Sequence, residues 1–473
     1  MKRLVTVLLA GASLSACVVG PDHVSPIAKA PAQAVFVGSN APAFVPAEPP
    51  AKWWKLFDAP VLDGLVAEAL RNNTDLRVAE ANLREARARL RETGTARLPS
   101  TDVNASASYG QPAGSTLGIN GAGPRRENYD VGLDVGYQID LFGRITRAIE
   151  AGRADVEAVQ AAYDLARVTV AAETTRAYVD ACANGQQLAV ARETLRVQEQ
   201  TFDLTRRLFE GGRGTALDTS RAGALLEQTR ADIPTLKAER QAALYRLAVL
   251  TGRPPAEFPT EVASCEVSPT LNSAVPVGDG AGLLARRPDI RAAERRLAAA
   301  TARIGVATAD LYPSVSLGGS IGSTANSPGG LFKSEGFRFG FGPLISWTFP
   351  NIGAARARIR QAEAQADAAL ATFDGTWLRA LQEAESAVGR YAGEADRMAS
   401  LLRARDQSME AARIARLRYQ AGAENFQIVL DAERSLAASE ALLAQSRERY
   451  SDLTVTLFLS LGGGWEATDS VRR

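Results

Sequence analysis

The chain has 473 residues, of which 54 are lysine or arginine, 53 are aspartate or glutamate and one is histidine. Because the charges nearly cancel, the composition gives no support for a nucleic-acid partner. Stretches rich in alanine, arginine, glutamate and leucine predict long helices. His23 and the three cysteines lack the spacing of metal ligands.

Residues 1–16 have the layout of an export signal. Lys2 and Arg3 precede an apolar core that ends at Leu14, and this core is too short for a membrane-spanning helix, which needs about 20 residues. It leads into LSAC, which resembles the lipobox of bacterial lipoproteins and predicts that Cys17 becomes the lipidated first residue of the mature chain. An ordinary signal peptide with a chance cysteine is the alternative. Val18 stands where inner-membrane lipoproteins commonly carry aspartate, which favours the outer membrane.

Two further cysteines would face the oxidising periplasm, where disulfides persist. Cys182 lies in a predicted helix and Cys265 in a predicted linker. We expect two buried free thiols, with a bridge between them as the alternative.

The sequence is an internal duplication. The stretch DLRVAEANL, which begins at Asp75, returns 214 residues later as DIRAAERRL, which begins at Asp289. Further along the chain the offset is 210, as between Gly143 and Gly353. A chance similarity between alanine-rich helices would not keep register in this way. The predicted organisation is a lipidated extended N-terminal segment (17–60), a first repeat (61–252), an equatorial linker (253–280), a second repeat (281–464) and a tail (465–473).

Each repeat predicts the same order of elements, with a helix, two strands joined by a glycine-rich loop, a very long helix and a final helix. The predicted helices cover 61–97, 145–209 and 216–250 in the first repeat and 281–311, 354–418 and 426–460 in the second. The longest helices have about 65 residues and therefore a length close to 100 Å. Such lengths favour coiled-coil packing.

The predicted strands cover about 101–110, 127–142, 314–323 and 336–349. From Tyr129 to Leu141 every odd position is apolar and every even position is polar or glycine, which is typical of a strand with one apolar face. A tilted strand of this length spans about 30 Å, the thickness of a bilayer core. We therefore predict that the apolar face contacts lipid and that Asp130, Asp134 and Asp140 face a water-filled lumen. A soluble β-sandwich is the alternative, but the export signal argues against it.

Four strands cannot close a barrel, and open sheet edges are not tolerated in lipid. Known outer-membrane barrels have at least eight strands. The chain must therefore oligomerise, and two, three or four copies would satisfy this requirement equally well.

Three stretches resemble one family. RRPDIRAAERRLAAATARIGVATADLYPSVSL (286–317), DLFGR (140–144) and AGAENFQIVLDAERSLAASEALL (421–443) are similar to hallmark segments of the TolC/OprM-like outer-membrane factors, the outer membrane efflux protein family. Together with the lipobox they point to its NodT-type efflux lipoproteins.

The resemblance implies a membrane α+β fold, in which a homotrimer forms a twelve-stranded transmembrane β-barrel, with four strands per protomer, continuous with a long periplasmic α-helical barrel. It further implies a lipid-anchored protein of the bacterial outer membrane that serves as the exit duct of a tripartite efflux pump. The implied partners are a periplasmic adaptor (membrane fusion protein) and an inner-membrane transporter of the RND type. No cofactor is implied beyond the covalent lipid on Cys17.

The resemblance also implies a periplasmic gate at two helix tips (207–218 and 416–427). Gly212 and Gly422 fall on the family's tip glycines, which contact the adaptor. Asp431 falls on an acidic position that rings the pore constriction. A solvated helix residue is the simpler alternative for this aspartate.

Tyr419 and Asp218 match a family pair that can hold the coils closed by a hydrogen bond, although Tyr419 could equally serve in packing. Ile428 stands where TolC has a second acidic ring, and Glu424 stands at a tip position that can carry arginine. We therefore expect an apolar ring beside one acidic ring. We do not expect the salt bridge that closes the gate in TolC to be present in this chain.

An enzyme is not predicted. GGSIG (318–322) matches the hydrolase pattern G-x-S-x-G, but it lies inside an alternating strand and the chain offers no suitable histidine. The predicted function is passive export of small molecules such as drugs or toxic compounds. A type I secretion channel for polypeptides and a periplasmic coiled-coil scaffold lipoprotein without a barrel are the alternatives.

Overall fold

The computed structural model of the chain describes residues 18–26, 34–111, 113, 120–271, 273–350 and 352–464. The predicted export signal (1–16), Cys17 and the tail 465–473 lie outside these residues. The chain divides into two compact units. The sheet unit comprises Met1–Pro26, Asn82–Gln160 and Ala292–Asp374, and the helical unit comprises Ile27–Ala81, Ala161–Arg291 and Gly375–Arg473.

The two halves of the chain contain the same elements in the same order, which confirms the internal duplication. The helices are α1 (Pro60–Asn72), α2 (Thr74–Thr95), α3 (Arg144–Glu210), α4 (Ala216–Leu250), α5 (Gly280–Arg286), α6 (Pro288–Ala309), α7 (Ile352–Gln420) and α8 (Phe426–Ser460). The strands are β1 (Phe44–Val45), β2 (Ser100–Gly110), β3 (Arg126–Ile139), β4 (Val275–Pro276), β5 (Ser314–Ala325) and β6 (Phe337–Ser346). Among the described helices, none combines the length and the apolar character that a membrane crossing requires.

The predicted helices at 61–97 and 281–311 are each interrupted once, so the prediction of single helices is wrong there. The first break is at Asn73, whose side-chain oxygen accepts hydrogen bonds from the backbone N–H groups of Asp75 and Leu76 at 2.9 and 3.3 Å and thereby caps α2. The second break is at Arg287, whose ψ of 120° is extended. Arg287 precedes Pro288, and a residue before proline is disfavoured in the helical conformation.

Four long strands form one antiparallel sheet in the order β2-β3-β5-β6. The central pair, β3 and β5, joins the two copies of the duplication, and its register runs from Tyr129 opposite Ala325 to Ile139 opposite Val315. The sheet ends earlier than predicted, because β3 stops at Ile139 and β6 at Ser346. β1 and β4 form a separate two-stranded parallel pair.

An aromatic cluster forms part of the core of the helical unit. Trp53 is fully buried and stacks on Phe458 of α8 with 5.0 Å between the ring centroids. Trp54 and Phe57 contact Trp53 edge-on at 6.1 and 6.4 Å. The end of the predicted extended segment 17–60 is therefore packed into the core, where large aromatic rings contribute much of the buried apolar area.

Cys182 of α3 and Cys265 of the linker form a disulfide, so the expectation of two free thiols is wrong. The linker reaches α3 because Gly185 has no side chain, since a Cβ there would lie 2.0 Å from the carbonyl oxygen of Cys265. Arg240 of α4 donates to the same carbonyl oxygen at 3.0 Å. The disulfide and this hydrogen bond fasten the linker to two helices of the helical unit.

Replacing Cys182 and Cys265 together with serine is expected to lower the unfolding temperature. The disulfide joins residues 83 positions apart, and restricting an unfolded chain over a loop of this length stabilises the fold by about 4.5 kcal/mol in the chain-entropy model. Thermal unfolding in detergent, followed by circular dichroism, measures the difference. Maleimide labelling before and after reduction serves as the control, and labelling of either thiol in the unreduced wild-type protein would contradict the assignment.

Candidate functional site

The sheet carries one continuous apolar face, as the alternation predicts. Leu133 of β3 lies between its cross-strand partners Val103 and Ile321. On β6, Phe339 and Phe341 are 78% and 82% exposed. Soluble monomers rarely expose so large an apolar patch. The face is therefore suited to contact lipid.

The opposite face of the sheet is polar and consists mostly of serine and glycine. Asp130 and Asp134 lie on it. Asn104 donates from Nδ2 to Asp134 at 2.6 Å, and Arg338 of β6 donates from Nη2 to both carboxylate oxygens of Asp130 at 2.9 Å. Because most of its side chains are small, this face can line an aqueous passage with little obstruction.

Asp140 does not lie on the polar face, and its assignment to the lumen is wrong. It follows the last residue of β3 and accepts hydrogen bonds from the backbone N–H groups of Ile145 and Thr146 at 2.9 and 2.8 Å. The chain turns at Gly143, which has a φ of +76°, a conformation that favours glycine. Asp140 therefore caps the start of α3, where its negative charge also suits the helix dipole.

The first described residues are held at the turn between β3 and α3. The backbone N–H of Val19 donates to the carbonyl oxygen of Phe142 at 3.3 Å. The guanidinium of Arg147 donates to the carbonyl oxygens of Val19 and Gly20 at 3.2 Å and to the carboxylate of Asp22 at 2.7 Å. The Arg147 side chain is only 5% exposed. The segment directly after Cys17 is thus fixed beside the end of a strand.

The two helix tips are tight turns with a glycine at the same place. Gly212 lies between α3 and α4 with a φ of +70°, and Gly422 lies between α7 and α8 with a φ of +71°. A Cβ at either position would meet nothing within 4 Å. These glycines are therefore required by the backbone conformation, while the surface around them is open.

Tyr419 packs against the core of its tip. Its ring contacts Phe426 with 5.7 Å between the centroids, and it lies on a buried cluster made of Ala222, Leu225, Ala415, Phe426, Val429 and Leu430. Burial, followed by the nearby charge of Asp218, raises the pKa of Tyr419. The carboxylate of Asp218 accepts instead from the hydroxyl of Thr215 at 2.6 Å. Among the described residues no hydrogen bond joins Tyr419 to Asp218, so the expected bond is not present in this conformation.

Asp431 and Ile428 are both exposed and lie three residues apart on α8, so they share one face of the helix. The Nε2 of Gln427 donates to both carboxylate oxygens of Asp431 at 3.2 Å. Glu424, at the tip itself, lies 3.5 Å from the guanidinium of Arg418. The face of α8 that carries Asp431 thus presents an apolar and an acidic group one turn apart.

A ladder of polar contacts joins α3 to α8 above the tips. Gln187 donates to Glu448 at 2.6 Å and Thr194 to Glu440 at 3.3 Å. Nearest the tips, Thr201 donates to Glu433 at 3.0 Å. The donors are seven residues apart, which is the coiled-coil repeat.

Glu433 is the most buried acid of this ladder. Its side chain is 4% exposed, and the guanidinium of Arg416 lies 4.0 Å away. Burial raises the pKa of Glu433, while the Thr201 hydrogen bond and the Arg416 charge act in the opposite direction. A carboxyl group is thus buried between α3 and α8 close to the tip, with a half-buried threonine as its donor.

Sequence reasoning missed Arg147 and Arg338. For Arg338 a signal exists, because it is the one charged residue among the polar and glycine positions that alternate with apolar positions in β6. For Arg147 no signal exists, since it is one arginine among many at helical spacing. Its role depends on where the N-terminal segment lies.

Replacing Tyr419 with phenylalanine is expected to leave the tip intact, because the ring packs and the hydroxyl makes no bond to Asp218. Replacing it with alanine should loosen the tip, since removing a half-buried ring costs on the order of 2 kcal/mol. Hydrogen exchange of residues 416–430 in detergent measures the difference. A Tyr419→Phe variant that exchanges as fast as Tyr419→Ala would show instead that the hydroxyl matters.

The chain is similar to known proteins over most of its length. The chain matches the family model described as outer membrane efflux protein over residues 65–253 and 282–463. It is 30% identical to Nodulation protein T of Rhizobium leguminosarum bv. trifolii, with 96% of this chain and 95% of that protein covered. It is 32% identical to Outer membrane protein OprJ of Pseudomonas aeruginosa, with 98% of this chain and 96% of OprJ covered.

The fold is shared with solved outer-membrane channels. The structure of the channel OprN matches with a TM-score of 0.89 and 39% identity, covering 95% of this chain and 100% of OprN. This confirms the predicted TolC/OprM-like fold class. The chain belongs to the outer membrane efflux protein family and is an outer-membrane efflux channel.

Proposed function

We propose that the chain works as a homotrimer, in which three four-stranded sheets close one twelve-stranded barrel across the outer membrane. The observation that carries this proposal is the sheet, with its one apolar face and its unpaired edges. Within the described residues, β2 pairs only with β3 and β6 only with β5. Unpaired backbone groups are not tolerated in lipid, so further copies must cover both edges. The family resemblance supports three copies rather than two or four.

In this barrel the apolar face contacts lipid and the polar face lines the lumen. Asp130 and Asp134 then face water, where carboxylates are stable. The small serine and glycine side chains keep the passage open. The duct is passive and requires no nucleotide or other cofactor.

Cys17 carries the lipid anchor in our proposal. Its support is the lipobox together with the position of the next residues, because Val19 is bonded to Phe142 directly after the end of β3. An acyl chain on Cys17 would therefore begin where the strand leaves the lipid. The strands and the lipid together would hold the chain in the outer membrane, since one acyl chain alone gives only marginal binding.

The helix tips form the periplasmic gate in the same proposal. In a trimer, Asp431 and Ile428 would form an acidic ring and an apolar ring one turn apart. Gly212 and Gly422 would contact the periplasmic adaptor, and an RND-type transporter in the inner membrane would supply the energy. The exported cargo is small molecules, as expected of an efflux channel.

Native mass spectrometry of the protein extracted in detergent tests assembly and lipidation together. The expected mass is that of three chains that begin at Cys17, each with acyl groups added. Cys17→Ser serves as the control, and it should remove the acyl mass. A monomeric or dimeric species at micromolar concentration would contradict the trimer, and an unmodified Cys17 would contradict the lipid anchor.

Planar-bilayer recording tests the duct. Wild-type protein should conduct, and Asp431→Asn should reduce the preference for potassium over chloride about twofold or more, because three carboxylates near one axis attract cations. Glu210→Gln, a change of the same charge at an exposed tip position, is the matched control and should have little effect. The duct proposal fails if neither the wild type nor Asp431→Asn conducts.

A further inference from the structure

An arginine–aspartate pair lies across three strands of the polar face. Asp130 is on β3 and Arg338 on β6, with β5 between them. Besides its bonds to Asp130, Arg338 donates from Nε to the hydroxyl of Thr324 on β5 at 3.1 Å, and that hydroxyl donates to Asp130 at 2.6 Å. These three side chains form a closed clasp. The Arg338 side chain is 42% exposed and the Asp130 side chain 25% exposed.

The arginine lies flat on the sheet because the residues beneath it are glycines. The cross-strand partner of Arg338 is Gly322, and the next partner of Gly322 is Gly132. A Cβ at Gly132 would lie 3.0 Å from Nη2 of Arg338. A side chain at Gly132 would therefore lift the guanidinium away from Asp130.

The clasp sets the net charge of the part of the polar face that surrounds Asp130 and Arg338. On the described strands, the charged residues of this face are Asp102, Arg126, Asp130, Asp134 and Arg338. Asp102 and Asp134 are direct cross-strand partners, so their level is acidic. Four residues further along β3 toward the β2–β3 hairpin end, the charges of Asp130 and Arg338 cancel. Without Arg338 that level would become acidic as well, and without Asp130 it would carry a long unpaired cation.

We propose that the Asp130–Arg338–Thr324 clasp is a specificity-determining element of the channel. It holds Arg338 flat and neutralised, so that the passage at this level stays wide and does not select by charge. The inference rests on the proposed function, because it requires the polar face to line the lumen. A unit charge about 8 Å from an ion in water changes the local concentration of that ion about twofold, and a trimer carries three clasps.

Reversal potentials of purified protein in planar bilayers under a potassium chloride gradient test the inference. Arg338→Gln should raise the potassium-to-chloride permeability ratio about twofold or more, because it leaves Asp130 unpaired. Asp130→Asn should lower the ratio by a similar factor, because the charge of Arg338 is then uncompensated. The double variant Asp130→Asn/Arg338→Gln should return to the wild-type ratio, although it lacks the clasp.

The double variant separates charge selection from a purely structural role. If the clasp only held the strands together, the single and double variants would lose trimer stability alike and keep the wild-type permeability ratio, and that result would overturn the inference. Glu127→Gln is the matched control, since it removes one charge near the same hairpin end but on the opposite face, and it should leave the ratio unchanged. A wild-type protein that does not conduct would refute the duct itself, whereas conducting variants with identical ratios would refute only the clasp.

Geometry is tested separately from charge. Gly132→Val keeps every charge but places side-chain atoms under the guanidinium, so Arg338 should project into the lumen. The expected result is a lower single-channel conductance and a lower potassium preference than in the wild type. Gly342→Val adds the same volume to the polar face at a position where a Cβ meets nothing within 4 Å, and it should not lower the potassium preference. Equal potassium-to-chloride permeability ratios in the two variants would contradict the inference that the glycines beneath Arg338 hold it flat.

Discussion

Backbone hydrogen bonding in an apolar medium is the constraint on which the rest of this structure depends. A strand that lies in lipid has no water to satisfy its N–H and C=O groups, and each unpaired group costs several kcal/mol. One chain supplies a sheet of four strands, which leaves two edges in need of partners. Assembly, the apolar outer face and the polar inner face all follow from closing those edges. The small serine and glycine side chains of the polar face leave the space inside such a closed sheet open.

The helices meet a different requirement, since their polar side chains must find partners between packed helices. The three contacts of the ladder between α3 and α8 use neutral donors, threonine and glutamine, against glutamates. Further from the tips the same two helices are joined by a charged pair, Arg176 and Asp452, at 2.6 Å. Such contacts contribute little net stability compared with apolar packing, but they favour one register over its neighbours. Glu433 shows the cost, because its burial favours the protonated form. The duplication places the donor helix in the first copy and the acceptor helix in the second.

Features that depend on the alternation of side chains along one strand could be predicted from the sequence. Features that depend on contacts between segments far apart in the chain could not. The alternation around Leu133 and Asp134 identified both faces of the sheet, because successive side chains of any strand point to opposite sides. Asp140 continued the same alternation, but Gly143 turns the chain, and the aspartate caps a helix instead. The Cys182–Cys265 bridge requires the linker to pass over Gly185, and the Arg338 clasp requires the register of three strands. The bridge leaves no pattern in one stretch of sequence, and the lone charge of Arg338 does not by itself identify Asp130 and Thr324 as its partners.

The α3–α8 ladder also has a consequence for biogenesis. Its partners are 261, 246 and 232 residues apart in the chain, and contacts of such long range form late because a large loop must close first. A chain that is made and exported from its N-terminus therefore waits for its last helix before α3 can complete its packing. The apolar strands of the first copy likewise have no finished sheet to join until β5 and β6 have been made, and they are exposed to self-association during that time. The order of synthesis thus leaves the first half of this duplicated architecture without its packing partners until the second half has been made.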